Sequence, residues 1–154
     1  MYNWHIEAVL RLALGHGDGF LDLSLMYYHA LLIFLSGNFD YFTYWNQTPA
    51  PGLSLSEVTT HLAAILELAG HILLQSKIPG VMLLFPLTVA GSRARVPDHR
   101  SQILSLLNKV YSRGFLVANR VKSEMLERWA KRDELLPLDQ AGDHVGVEVE
   151  LVYD

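Results

Sequence analysis

Apolar positions recur at helical spacing over most of this chain, and the breaks between them mark where helices begin and end. Ile6, Val9, Leu10 and Ala13 step by three and four residues, which predicts a first helix over about Asn3 to Leu14. It stops at the glycine-rich turn of Gly15, Gly17 and Gly19. From Phe20 to Leu35 the chain is apolar on nearly every face, as in a helix enclosed by others, and Gly37 is placed to cap it. Residues 38–53 are aromatic and end in Pro49, Pro51 and Gly52, so they read as a packed loop. Ser54 and Glu57 then fit a capping box, in which each side chain satisfies a backbone N–H left free at a helix start. The helix that follows runs to about Gln75, with Val58, Leu62, Ile65, Ala69 and Ile72 on one face.

Pro79 suits the first turn of the next, wholly apolar segment, whereas Pro86 deletes a backbone hydrogen bond to Met82 and should kink or divide it. Pro97 and Asp98 open another helix, with Ile103, Leu104, Leu107, Val110 and Tyr111 as its stripe. Gly114 closes it after Lys109 and Arg113, cations favoured at that end of the helix dipole. A last helix, Phe115 to about Arg132, is expected to bury Phe115, Ala118, Val121, Met125 and Trp129. It places Glu124 near Arg128 and Glu127 near Lys131 on a solvated outer face. Val145, Val147, Val149 and Leu151 alternate with Gly146, Glu148 and Glu150, a strand-like period with no evident partner strand, so this tail is expected to be disordered. The expected fold is all-α, a multi-helix array with a kinked apolar central helix, divided into a helical domain over 1–132 and an acidic, flexible tail over 133–154.

With 154 residues, 51% of them hydrophobic and 18% charged, the chain suits one domain with a core. It contains no cysteine, which excludes disulfides, thiolate catalysis and thiolate zinc sites. The first residues carry Glu7 and Arg11 inside their apolar stretch, unlike a secretory leader. The longest uninterrupted apolar run, Ile78 to Gly91, is 14 residues with two prolines, short of a bilayer span of about 20. Charge is segregated. Residues 1–92 sum to −4, residues 93–132 carry ten bases against three acids, and residues 133–154 carry seven acids and no base. Such blocks either recruit a partner or neutralise each other.

Candidate chemistry is sparse. His16 and Asp18, with Asp22 as a third ligand, fall short of a metal site and read better as a capped turn, while Glu67 and His71 read as a surface pair. No serine stands in a nucleophile elbow, and the glycines lack the strand and lysine of a phosphate loop. No catalytic residue, metal or cofactor is expected. Arg93, Arg95 and Arg100 cluster at a helix junction, where guanidinium groups brace free carbonyls or meet an acidic partner, including the chain's own tail. Residues 97–132 mimic a helix-turn-helix, but no base-reading cluster opens the second helix, so direct DNA binding is not expected.

The run GVMLLFPLTVAGSRARVPDHRSQILSLLNKVYSRGFLVANRVKSEMLERWAKR, supported upstream by LDLSLMYYHALLIFLSGNFDY, resembles the C-terminal part of the regulatory domain of fungal binuclear zinc cluster transcription factors. The similar features are Phe85-Pro86-Leu87, the junction from Ala90 to Arg95, Arg113-Gly114-Phe115 and Trp129 followed by basic residues. The resemblance implies an all-helical regulatory domain that in full-length relatives follows a DNA-binding six-cysteine zinc cluster, which these residues cannot form. It further implies a nuclear protein, otherwise cytoplasmic, and an association with fungal secondary-metabolite gene clusters, while the residues themselves argue against secretion and a membrane span. The expected role is therefore non-enzymatic: a transcription-regulator-like protein whose partner is a zinc cluster factor or co-regulator. The alternatives are a small ligand-binding protein or enzyme built on an aromatic pocket of Tyr27, Tyr28, His29 and Trp45, and a truncated remnant without function.

Overall fold

The computed structural model describes residues 19–41 and 52–141, with side chains defined to Gly37 and from Gly52 to Glu134. These residues form five α-helices and one short 3-10 turn, with no strand among them, so the fold is all-α. The helices are α1 (Gly19–Tyr41), α2 (Leu55–Gln75), α3 (Leu84–Arg93), α4 (Pro97–Ser112) and α5 (Val117–Ala141), and the 3-10 turn is Gly80–Leu83. The predicted helix over Asn3 to Leu14 and the strand-like stretch over Val145 to Leu151 lie outside the described residues.

Short α3 is the hub, packed by each of the other four helices. Its composition explains why. Pro86, Leu87, Val89, Ala90 and Gly91 are buried, and Ala94 just beyond it is fully enclosed, while Phe85 and Ser92 stay exposed. Pro86 divides the apolar segment as expected. The chain winds as a 3-10 turn from Gly80 and becomes α-helical at Leu84, which places Pro86 in the first turn of α3, where its missing N–H has no intrahelical partner to lose. Around this hub Met26, Ala30 and Ile33 of α1 meet Ile65, Ala69 and Ile72 of α2, and Ile103, Leu107 and Val110 of α4 complete the core.

Helix ends follow local chemistry. Ser54 caps α2 through the predicted box: its hydroxyl accepts from the Glu57 N–H at 3.3 Å, and its own N–H donates to the Glu57 carboxylate at 2.8 Å. The Ser54 hydroxyl also donates to that carboxylate at 2.7 Å, and this bond, together with the one from the Ser54 N–H, holds the Glu57 carboxyl below its ordinary pKa. Gly114, at φ +93°, supplies the left-handed residue that ends α4, and neighbouring Arg113 donates to the Leu73 carbonyl of α2. Gly80 lets the chain pass close to α4, since a Cβ there would lie 3.2 Å from Val110 Cγ1 and 3.3 Å from Phe115 Cδ2.

Three expectations need correction. Gly37 does not cap α1, which continues to Tyr41; it is buried because the Arg93 guanidinium occupies the space its side chain would fill. The expected loop therefore starts later than residue 38. The last helix extends nine residues beyond Arg132, to Ala141. On α5 Glu124 pairs with Arg120, 2.9 Å away, rather than with Arg128, because Arg128 is turned toward a groove. By length and composition α1 over Gly19–Gly37 and α2 would also suffice to cross a bilayer. In the fold their apolar faces pack against each other, and the opposite face of α2 exposes Glu57, Glu67 and His71.

Candidate functional site

A helix ends with carbonyls short of intrahelical donors, and at the C-terminus of α3 three of them accept from side chains later in the chain, although the Gly91 carbonyl also accepts the Ala94 N–H at 3.3 Å. Trp129 Nε1 donates to the Gly91 carbonyl at 2.8 Å. Arg132 donates to the Ser92 carbonyl at 3.1 Å and to the Ala94 carbonyl at 2.6 Å. Arg100 donates through Nε to that same Ala94 carbonyl at 3.2 Å. The rest of the Arg100 fork holds both oxygens of Asp133, at 2.6 and 2.9 Å, and the guanidinium lies 5.1 Å from the centroid of the Trp129 ring. The Asp133 bond raises the pKa of Arg100, and the Arg100 bond lowers that of Asp133. Gly91 permits the close approach of α5 here: a Cβ on it would collide with the Met125 side chain.

Beside this junction α1, α3 and α5 enclose a groove of about 630 Å³. Arg93 and Arg95 reach it from the end of α3, and Arg128 and Arg132, four residues apart on one face of α5, reach it from the other side. The opposite wall is apolar: Ile33, Phe34, Phe85 and Val89. Phe34 meets Phe85 edge to face at 6.0 Å between centroids. An adjoining recess of about 290 Å³ reaches Met125 and Trp129. Burial lowers the pKa of Arg132, and repulsion from Arg100 and Arg95 adds to that effect against the opposing attraction of Asp133. Arg132 Nε is a buried donor with no acceptor.

Of the three arginines singled out from sequence, the structure brings Arg93 and Arg95 together at the groove and turns Arg100 away toward Asp133. Arg132 and Asp133 were not singled out, Arg128 was read as a surface partner of Glu124, and Trp129 as a buried position of the last helix. The signal lay in the four-residue spacing of Arg128 and Arg132, which on an isolated helix looks like an ordinary solvated face. Three of the four residues named for an aromatic pocket are described, and they have different partners. The Tyr27 hydroxyl donates to the Met82 carbonyl at 2.9 Å and its ring stacks on Phe85 at 5.7 Å, with burial raising its pKa. Tyr28 lies edge-on to His29, and His29 Nδ1 is 2.8 Å from His61 Nδ1 of α2. Trp45, His16 and Asp18 lie outside the described residues. No cluster of three or more possible metal ligands occurs among the described residues.

The α4–Gly114–α5 pair that mimicked a helix-turn-helix uses two of its basic residues on internal contacts: Lys122 donates to Asn108 across the pair at 3.0 Å, and Arg113 to α2. Comparison with known proteins gives one finding that reaches nearly the whole chain: the family model of the fungal specific transcription factor domain matches residues 4–143. No curated protein and no solved structure matches the chain.

Proposed function

Since the chain belongs to the family of fungal specific transcription factor domains, and so has a transcription-regulator-like role, we propose that it works in the nucleus, without catalysis, through protein contacts of its helical surface. The observation that carries this reading is where the positive charge goes. Arg100, Arg113 and Arg132 are spent on backbone carbonyls of other helices, and Arg95 and Arg128 line a concave groove. A duplex reader instead presents a row of base-reaching side chains from one exposed helix. With no cysteine in the sequence, a zinc cluster that reads DNA would have to come from another segment or another chain. The contact face fitting this role is apolar: Leu31 and Leu35 are half-exposed on α1 beside Phe34 and Phe85. The partner class is a zinc cluster transcription factor or a co-regulator, and a link to a secondary-metabolite gene cluster is the corollary that the resemblance supports.

The test is capture from fungal nuclear extract by the immobilised chain, alongside a mobility-shift titration on duplex DNA at 150 mM salt. The expected result is recovery of a zinc cluster factor or co-regulator, lost in a Leu31→Asp/Leu35→Asp variant, with DNA bound only in the non-specific range of about 10⁻⁴–10⁻⁶ M. Nanomolar DNA binding, or recovery of neither partner class, would overturn the reading.

A further inference from the structure

We propose that the groove between α1, α3 and α5 is a binding site for a small amphipathic organic anion, a carboxylate carried on an apolar body of aryl size. The proposal stands on the lining of the groove and is independent of which protein the domain contacts.

Charge is the first argument. Among the described residues that line the groove four are arginines and none is a carboxylate, and Arg93 is already engaged. Arg95 and Arg128 make no ion pair or hydrogen bond within the described residues, and neither is spent on a helix end as Arg100 is. Arg132 is pressed by burial and by the like charges of Arg100 and Arg95, and its buried Nε has no acceptor. Guanidinium groups gathered around one hollow are relieved by an anion that enters it. The planar guanidinium fork also matches the two oxygens of a carboxylate.

The apolar wall is the second argument, and it selects the rest of the molecule. Ile33 and Val89 form its base, and the rings of Phe34 and Phe85, both more than a third exposed, stand at its rim. An inorganic ion would leave this wall wet, whereas a flat apolar body covers it and stacks at the ring edges. Size is the third argument: about 630 Å³ lies inside the range of roughly 300–1,000 Å³ typical of small-molecule sites.

The probe is 2-naphthoate, titrated calorimetrically and by thermal unfolding into the full chain, with 2-naphthol as its uncharged counterpart and acetate as the charge without the body. The expected result is saturable binding with Kd at or below about 1 mM. Thermal unfolding should rise by about 2–4 °C at several times Kd. Both control compounds should bind at least about tenfold more weakly, and an Arg95→Gln/Arg128→Gln variant should lose about tenfold or more in affinity with its own unfolding unchanged. Should that variant fail to fold, the single exposed Arg95→Glu carries the same expectation. The proposal is overturned by no binding up to 10 mM, by equal binding of 2-naphthol or of acetate, or by variants that bind as the wild type does. Capture of the protein partner in the absence of naphthoate leaves these outcomes unaffected, so the two readings fail separately.

Discussion

Replacing Gly91 with alanine tests the central junction most directly. Gly91 sits in the last turn of α3, where alanine would ordinarily favour the helix by up to about 1 kcal/mol. Here the added methyl would occupy the place of the Met125 side chain, which is only 4% exposed and borders the recess that Gly91 also lines. Forcing an extra carbon into a packed contact costs about 1–3 kcal/mol, so the net expectation is destabilisation by about 1–2 kcal/mol. For a chain of this length that is a fall in unfolding midpoint of about 2–8 °C. The decisive experiment is a double-mutant cycle read by urea denaturation and helical circular dichroism. Met125→Ala alone should cost about 2–5 kcal/mol through the cavity it leaves. In that background the space is open, so Gly91→Ala should become neutral or stabilising, giving a coupling of about 1–3 kcal/mol between the two sites. Additive effects, or a Gly91→Ala protein more stable than wild type, would refute the claim that a missing Cβ is what admits Met125.

Trp129→Phe removes the indole N–H that donates to the Gly91 carbonyl and shrinks the ring that Arg100 covers, and should cost about 1–3 kcal/mol in denaturant unfolding; a change below about 0.5 kcal/mol would contradict that bond. Gly114→Ala meets no neighbour but must adopt φ +93°, so a loss of about 1–2 kcal/mol should come from backbone strain alone, and a neutral result would mean that the α4–α5 turn is not left-handed. The Asp133 carboxyl titrates below its ordinary value because Arg100 holds its ionised form, so the pair's contribution is present above the unfolded carboxyl pKa of about 3.9 and is lost as pH falls through the depressed value. The stability difference between wild type and Asp133→Asn should therefore hold steady from pH 7 to 5 and shrink below about pH 4; a difference constant down to pH 2 would argue against the pairing.

The helices and their order were largely legible in the sequence, because hydrophobic spacing, capping residues and proline act over a few neighbouring positions. The stripe Val58, Leu62, Ile65, Ala69 and Ile72 is wholly buried, the Ser54–Glu57 box forms, and Gly114 ends α4. All-α architecture and the division at Pro86 follow from the same local rules. Gly37 misled for an instructive reason: a glycine reads as a helix end when only its backbone freedom is considered, and its partner Arg93 stands 56 positions away. The candidate site was hidden in the same way. Arg93 and Arg95 stood out in a short basic run, but Arg128 and Arg132 looked like a solvated helix face until α5 was laid against α3. The Arg100–Asp133 bond likewise spans 33 positions. Local chemistry thus determined which segments coil and where they stop. Only tertiary packing decided which helix ends share their carbonyls, which arginines meet around one groove and which apolar wall faces them, because those distances depend on how helices cross rather than on the spacing of residues along any one of them.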